Sequence, residues 1–225
     1  MKKIIITGSR GLIGSEFRKH CQRRGLGVIE CDLKLGHDLT NEAFVKDWFS
    51  KNKAGSLVNF FAMNDHVDHS RSRSNIFNVS LKSFNDYLNV NLTSLFSVCR
   101  EFARHNKKGT IVNFSSTYGV VAPYPDLYDT GEKHIGYSVS KAGVIQLTRH
   151  LSVFLAPQIR VNCIVPGGVL HQQGQEFRAK YAKRVPMHRM MKARELNGIT
   201  EYLCSEESSY VTGGLFFVDG GWTAW

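Results

Sequence analysis

Short runs of apolar, β-branched residues alternate along this chain with longer segments in which apolar residues recur at helical spacing. The short runs predict strands at residues 3–7, 28–31, 57–61, 110–115, 160–165 and 215–218. The longer segments predict helices at residues 12–24, 41–51, 84–105, 137–155 and 193–204. This alternation is typical of an α/β domain with an open parallel sheet, and the unbroken apolar run at 57–61 fits a strand buried on both faces.

The composition is that of one globular domain spanning residues 1–225, because 42% of the residues are hydrophobic and 21% are charged. The five cysteines are scattered and lack Cys-x-x-Cys spacing, so we expect reduced, mostly buried thiols, with no disulfide framework and no metal site. Gly8 ends the first apolar run too early for a signal peptide, and no apolar stretch approaches about 18 residues. We therefore expect a cytoplasmic protein without membrane association.

The formal net charge is +10. Such a surplus can indicate nucleic-acid binding, but the basic residues are dispersed, and the nearest approach to a patch is Arg71-Ser-Arg73. The charge is better explained by solubility, or by attraction of a phosphorylated or carboxylated small molecule. We expect no nucleic-acid partner.

A glycine-rich turn, Thr7-Gly-Ser-Arg-Gly-Leu-Ile-Gly14, follows the first predicted strand and opens the first predicted helix. Small residues let the backbone approach a pyrophosphate, while the helix offers its free N–H groups and the positive end of its dipole. A tight turn without a ligand is the alternative, but the strand-turn-helix context favours phosphate binding. The candidate residues of this turn are Gly8, Ser9, Arg10, Gly11, Leu12, Ile13 and Gly14.

Tyr137 and Lys141 lie four residues apart in a predicted helix, so they share one face, where the ammonium can favour the phenolate. The pair can therefore act as an acid/base unit. By itself this spacing also arises by chance in exposed helices, and its meaning depends on the other motifs of the chain.

Taken in order, those motifs resemble the short-chain dehydrogenase/reductase family from Ile4 to Gly221. They are the glycine turn, Asn91, Ser115-Ser116, Tyr137-x-x-x-Lys141, Pro166-Gly167-Gly168 and Val218-Asp-Gly-Gly221. The resemblance implies a single-domain Rossmann fold, with a doubly wound parallel sheet flanked by helices on both faces. It also implies an enzyme that uses NAD(H) or NADP(H) to interconvert an alcohol and a carbonyl.

The resemblance assigns four catalytic positions. Tyr137 is the expected general acid in reduction and base in oxidation, and Ser116 is expected to polarise the substrate oxygen. Lys141 is expected to lower the pKa of Tyr137 and to bind the nicotinamide ribose. Asn91 matches the position that supports a water relay to the lysine, with a helix kink or cap as its alternative role. Ser115 is the weaker serine, expected to make a strand-end hydrogen bond.

The cofactor preference rests on two opposed signals, one at the end of the second predicted strand and one in the glycine turn. Asp32 can accept hydrogen bonds from the adenosine ribose and would repel a 2′-phosphate, which favours NAD. Arg10 favours NADP, because a basic residue there contacts the phosphate in some family members. We expect NAD, although the glycine spacing resembles the extended and atypical branches of the family more than the common one.

Further cofactor contacts are implied by the same resemblance. Asp38-Leu39 matches the step that holds the adenine, and only five residues separate Asp32 from Asp38, so a helix and its connections are missing there. Ala62 is the safest match after the third strand, where Phe60 and Phe61 are expected in the core. The implied nicotinamide contacts are Pro166, Gly167 and Val169.

The segment 122–134, between Ser116 and Tyr137, is longer than in common family members, and we expect it to read the substrate. With the C-terminal Asp-Gly-Gly-Trp-x-Ala-Trp, it resembles oxidoreductases of bacterial surface-sugar and flagellin-glycan pathways, which implies a small polar substrate that is sugar-like or anionic. Its candidate side chains are Tyr124, Asp126, Tyr128, Lys133 and His134. The alternatives are a purely structural loop, an epimerase- or dehydratase-like enzyme, and a non-catalytic NAD(P)-sensing protein.

Two further expectations concern mobility and assembly. The polar segment 171–186 is expected to be a mobile lid over the reaction centre. The amphipathic helices around 91–105 and 137–155 correspond to the family's subunit interface, so we expect a homodimer or homotetramer. Trp222 and Trp225 are expected at a subunit contact, or, in a monomer, as caps on the core.

Overall fold

A computed structural model describes residues 3–64, 75–128 and 131–225. Its six strands form one parallel sheet in the order β2-β1-β3-β4-β5-β6. The strands are β1 (Lys3–Thr7), β2 (Gly27–Cys31), β3 (Ser56–Asn59), β4 (Gly109–Phe114), β5 (Ile159–Pro166) and β6 (Leu215–Val218). The predicted parallel sheet is confirmed, and the strand order reverses between β1 and β3, where such sheets bind ligands.

Within the described residues, seven α-helices connect the strands. They are α1 (Leu12–Arg23), α2 (Glu42–Lys51), α3 (Leu81–Leu88), α4 (Ser94–His105), α5 (Ile135–Leu155), α6 (Gln175–Arg184) and α7 (Asn197–Cys204). The helix predicted over 84–105 is divided by a π-helical segment, Asn89–Thr93. The helix predicted over 193–204 begins with a 3₁₀ turn, Ala193–Leu196. Helix α6 occupies most of the predicted mobile lid.

Successive residues of the central strands enter opposite cores, as strand geometry requires. Ile5 packs with Phe49 of α2 and Phe102 of α4, whereas Ile6 packs with Phe17 of α1 and Leu203 of α7. All six of these side chains are buried, and each contributes about 1.5–3 kcal/mol relative to exposure. Helices therefore cover both faces of the sheet, as expected for a doubly wound fold.

Strand β2 is the edge strand on one side of the described sheet. It is followed by a single 3₁₀ turn, Leu33–Leu35, which Asp32 caps by accepting a hydrogen bond from the Lys34 N–H. The short connection between Asp32 and Asp38 leaves no room for a further helix and strand outside β2. The adenine end of the expected cofactor site is thus bounded by a turn.

A third hydrophobic cluster joins the 122–134 segment, helix α6 and the C-terminal segment. It contains Leu127, Tyr181, Val185, Met190 and Trp222. The Trp222 ring stacks on Tyr181 at 4.8 Å and is buried within its own chain, so its expected place at a subunit contact is wrong. Trp225 remains 69% exposed.

The remaining sequence expectations on cysteines and spans can be compared directly with the described residues. All five cysteines are buried and unpaired, as predicted. No helix in the described ranges is long and apolar enough to cross a membrane. Arg71-Ser-Arg73 and residues 129–130 of the 122–134 segment lie outside the described residues.

Candidate active site

A cleft of about 720 Å³ opens along the carboxyl ends of four neighbouring strands. It is lined by Gly8 after β1, Phe60 after β3, Ser116 after β4 and Gly167 after β5. This is the edge at which open α/β sheets bind ligands. Phe60, expected only in the core, packs on Phe114 and also lines the cleft.

The glycine turn has the geometry of a phosphate cradle. Gly8 has a φ of +66°, and a Cβ there would lie 2.5 Å from the Phe61 nitrogen, so the turn and the end of β3 approach too closely for a side chain. A Cβ on Gly14 would collide with the Gly8 carbonyl oxygen. Gly11 begins α1 without any side-chain cap, which leaves the N–H groups of the first turn for a ligand. These residues fit the pyrophosphate of a dinucleotide.

Ser116 and Tyr137 come together in the cleft from different elements. Ser116 follows β4, and Tyr137 lies in the first turn of α5, with both side chains largely buried. Burial raises the pKa of Tyr137, and a hydrogen bond with Ser116 opposes this by stabilising the phenolate. Convergence of both hydroxyls on one substrate oxygen stays a prediction.

Lys141 lies one helical turn after Tyr137, with its ammonium 6.0 Å from the centre of the Tyr137 ring. Its Nζ donates to the Phe114 carbonyl oxygen at 2.8 Å. Burial lowers the pKa of Lys141 to about 8. The expected lowering of the Tyr137 pKa by Lys141 stays a prediction.

Asn91 lies in the π-helical segment between α3 and α4, buried beneath the cleft rather than lining it. Its Oδ1 accepts from the Met63 N–H at 2.7 Å, and its Nδ2 donates to the Met63 carbonyl at 3.1 Å and to Ser140 Oγ at 3.0 Å. Asn91 therefore ties the segment after β3 to the helix that carries Tyr137.

Ser115 also lines the cleft, but its hydroxyl is held by α5. Its Oγ donates to the Lys141 carbonyl oxygen at 2.7 Å, which joins the end of β4 to α5. This is the structural strand-end role expected for the weaker serine.

The predicted cofactor residues divide into two groups. Those that line the cleft are Gly8, Gly11, Leu12, Ile13, Gly14, Ala62, Tyr137, Lys141, Pro166, Gly167 and Val169. Those that do not are Ser9, Arg10, Asp32, Asp38 and Leu39. Among the second group, Leu39 belongs to the hydrophobic core, and the Asp38 carboxylate accepts locally from the Thr40 N–H and hydroxyl.

Asp32 fastens the glycine turn to the end of β2. Its two carboxylate oxygens accept from the Arg10 N–H and the Lys34 N–H, each at 2.8 Å. The Arg10 guanidinium turns to Glu30 instead, with Nε 2.8 Å from Oε2 and Nη2 3.2 Å from Oε1.

The 122–134 segment supplies fewer cleft residues than expected. Tyr128 and Lys133 line the cleft, and the Lys133 ammonium lies 4.6 Å from the centre of the Tyr137 ring and 2.6 Å from Asn64 Oδ1. His134 instead stacks on Tyr87 at 4.3 Å and accepts from the Gly136 N–H at the start of α5. Tyr124 and Asp126 do not line the cleft.

Tyr128 belongs to an aromatic wall of the cleft whose other members, missed by sequence reasoning, are Tyr118, Phe177, Tyr181 and Trp222. The Tyr118 and Tyr128 hydroxyls lie 3.0 Å apart. The Tyr181 hydroxyl accepts from the Gly168 N–H at 2.7 Å, so the lid helix also positions the Pro166-Gly167-Gly168 turn. The helical spacing of Phe177 and Tyr181 was a usable signal.

No group of three or more His, Cys, Asp or Glu side chains within the described residues could hold a metal ion. Among the residues that the structure describes, the Lys, Arg, Asp and Glu side chains that line the cleft are two lysines, Lys133 and Lys141. The cleft therefore favours anionic or strongly polar ligands.

A family model described as enoyl-(acyl carrier protein) reductase matches residues 14–223. The chain belongs to the short-chain dehydrogenase/reductase family. The family resemblance and the fold predicted for this short-chain dehydrogenase/reductase are confirmed, and so is its class as an NAD(P)-dependent oxidoreductase.

The relatives of this short-chain dehydrogenase/reductase differ in their named activities. Post-translational flagellin modification protein A from Campylobacter coli is 29% identical over 98% of each chain. The 3-oxoacyl-(acyl-carrier-protein) reductase FabG from Aquifex aeolicus is 30% identical over 97% of this chain and 86% of the relative. The crystal structure of a Leptospira borgpetersenii short-chain dehydrogenase with bound NAD+ is 31% identical, with a TM-score of 0.86 over 99% of this chain and 92% of that one.

Proposed function

We propose that this enzyme interconverts an alcohol and a carbonyl on a small polar, sugar-derived substrate, with Tyr137 as the general acid and base. The observation that carries the proposal is the convergence of the Ser116 and Tyr137 hydroxyls beside Lys141, in a cleft that begins at the glycine turn. Two hydroxyls at one point can hold a single substrate oxygen, which is what proton transfer to or from that oxygen requires.

A bound nicotinamide supplies the hydride in reduction and accepts it in oxidation. In reduction, Ser116 donates a hydrogen bond to the carbonyl oxygen, and Tyr137 gives its proton to that oxygen as negative charge develops there. In oxidation, the Tyr137 phenolate takes the hydroxyl proton. Lys141 binds the nicotinamide ribose hydroxyls, and its charge then favours the phenolate. Asn91 positions α5 and supports the water relay to Lys141.

The glycine turn and the Pro166-Gly167-Gly168 turn are proposed to hold the two ends of the cofactor. The cleft-lining residues of both turns support this assignment. Asp32 and Asp38-Leu39 are proposed for the adenosine end, and the hydrogen bond from the Arg10 N–H holds Asp32 beside the glycine turn. NAD(H) is the proposed cofactor, since Asp32 would repel a 2′-phosphate.

The proposed substrate class rests on the composition of the cleft wall. Aromatic faces such as Tyr118 and Phe177 can stack on sugar rings, and Lys133 can hydrogen-bond hydroxyls or a carboxylate. The name of the flagellin-modification relative from Campylobacter coli is in keeping with such a substrate. An acyl-carrier substrate, as in the name of the Aquifex aeolicus relative, is the second candidate, favoured by the apolar part of the same wall.

We also propose that the enzyme is a cytoplasmic homodimer or homotetramer assembled through α4 and α5. These helices expose large apolar side chains: Phe96, Val139, Val153 and Phe154. Exposed apolar side chains of this size are suited to subunit contact. Sedimentation analysis of the wild type and of Phe154→Glu would test it, and a wild-type monomer would overturn it.

The substrate class is tested by screening the purified protein against nucleotide-sugars, keto-sugars, sugar alcohols and a short-chain 3-oxoacyl thioester. Each compound is measured with NADH or NADPH for reduction and with NAD+ or NADP+ for oxidation. Turnover of a sugar-derived compound supports the proposal. Turnover of the thioester alone would assign the second candidate, and loss of that turnover in Tyr137→Phe would still support the catalytic residues.

A further inference from the structure

Glu30 is the last residue but one of edge strand β2, and its side chain contacts the glycine turn. Its carboxylate is bound on one side by the Arg10 guanidinium through two contacts, 2.8 and 3.2 Å long. It also accepts from Ser9 Oγ at 3.1 Å, and Arg18 Nε lies 3.6 Å away. The Glu30 side chain is 23% exposed, so this ion pair is partly shielded from water.

Arg10 belongs to the ribose end of the proposed cofactor site. Its backbone N–H is hydrogen-bonded to Asp32, the carboxylate expected to receive the adenosine ribose. A 2′-phosphate at that ribose would need a cation, and a guanidinium is well suited to it because it can donate two parallel hydrogen bonds. In this structure those donors are directed to Glu30.

We propose that Glu30 determines cofactor choice by holding the Arg10 guanidinium away from the adenosine ribose, so that the enzyme selects NAD(H). This rests on the proposed binding of a dinucleotide at the glycine turn. NADPH would have to separate Arg10 from Glu30 or bring its phosphate next to two carboxylates, Glu30 and Asp32. NADH meets neither cost, because its ribose carries hydroxyls that Asp32 can accept.

The pair also explains how an arginine can occur in the turn of an NAD(H) enzyme. Glu30 neutralises Arg10, while Arg18 from α1 remains beside the same carboxylate. Removing the Glu30 charge would release Arg10 without leaving a buried carboxylate unpaired. The substitution Glu30→Gln keeps the shape and the hydrogen bond to Ser9, and it changes only the charge.

The test measures dissociation constants for NADH and NADPH by nicotinamide fluorescence in the wild type, Glu30→Gln and Glu30→Gln/Arg10→Ala. We expect the wild type to prefer NADH. Glu30→Gln should tighten NADPH binding by about tenfold, equivalent to one charge contact of about 1.4 kcal/mol, and change NADH binding by less than about twofold. Adding Arg10→Ala should remove that gain.

Glu16→Gln is the matched control, because Glu16 has similar exposure and pairs with Arg23 on α1, away from Asp32. It should leave the ratio of the two constants unchanged. An unchanged ratio in Glu30→Gln would overturn the inference. So would a gain that survives Arg10→Ala, which would assign the phosphate to another cation such as exposed Lys34.

If Glu30→Gln does not fold, Glu30→Asp shortens the side chain but keeps the charge, and it should shift the ratio toward NADPH by a smaller factor. No shift in a folded Asp variant would then overturn the inference. Absence of binding of either dinucleotide to the wild type would instead contradict the proposed function.

Discussion

The Lys141 ammonium donates a hydrogen bond to the Phe114 carbonyl oxygen at 2.8 Å, at the point where β4 ends. The contact fixes the buried lysine against the strand that leads to Ser116. Because Lys141 lies in the first two turns of α5, the same contact also sets the position of Tyr137 relative to Ser116.

Tyr137→Phe should lower kcat by at least about 100-fold, because the phenyl ring can neither give nor take the proton. NADH should still bind with its wild-type dissociation constant to within a few-fold, as measured by fluorescence titration. Tyr202→Phe on α7 is the control and should keep full activity. Retained turnover in Tyr137→Phe would remove Tyr137 from the mechanism.

Replacement by alanine should have different effects at the neighbouring residues Ser115 and Ser116. Ser116→Ala should lower kcat by about 100-fold, because its hydroxyl faces the reacting oxygen. It should also lower the free energy of unfolding by about 1 kcal/mol, because the Ser116 hydroxyl accepts from the Tyr118 N–H. Ser115→Ala should lower the free energy of unfolding by about 1 kcal/mol, through loss of the buried hydrogen bond to Lys141, and reduce kcat far less. Urea denaturation and steady-state kinetics on both variants check this, and equal kinetic effects would contradict the assignment.

Lys141 should make the stability of the cofactor-free protein depend on pH. Its pKa is lowered by burial from 10.5 to about 8, so between these pH values the unfolded chain holds a proton that the folded chain has lost. The contribution of Lys141 to the free energy of unfolding therefore rises as pH increases from about 8 to about 10.5, by roughly 3 kcal/mol at most.

The measurement compares urea unfolding of the wild type and Lys141→Met from pH 7 to pH 10.5. Titration of the other groups is common to both proteins and cancels in the difference. The wild type should gain stability relative to the variant across that range. A difference that does not vary with pH would show that Lys141 keeps an ordinary pKa.

Lys133 should contribute to substrate binding. Its ammonium lies 4.6 Å from the centre of the Tyr137 ring, in the wall of the cleft. Lys133→Met should raise KM for the best sugar-derived substrate by about tenfold and leave kcat within a few-fold, because one charged hydrogen bond is lost. Lys53→Met, at an exposed position before β3, is the control. A large fall in kcat with unchanged KM would show that Lys133 acts on Tyr137 instead.

The sheet could be predicted from the sequence because each strand is a short apolar run between polar turns. Ile4 to Ile6 and Leu57 to Val58 are buried on both faces of the sheet. Each run is therefore apolar throughout and can be recognised as a strand without knowing which segments pack against it. The glycine turn and the pair Tyr137 and Lys141 were equally visible, since their function depends on local spacing.

What the sequence did not reveal depends on contacts between distant segments. From the sequence alone, Trp222 is a residue near the end of the chain with no visible partner. In the structure, α6 and the 122–134 segment bring Tyr181 and Leu127 into one cluster with it. The sequence indicates His134 as a substrate ligand, whereas in the structure its ring stacks on Tyr87. The ion pair of Arg10 with Glu30 joins a turn to a strand 20 positions away, which no local pattern indicates.

Tyr181 has a consequence for the rate at which ligands are exchanged. Its ring stacks on Trp222, and its hydroxyl is bonded to the Gly168 N–H of the turn proposed to contact the nicotinamide. An outward swing of α6 must break the stacking and the hydrogen bond in one movement. Opening of the cleft by such a movement and reshaping of the nicotinamide pocket would therefore share one energetic barrier.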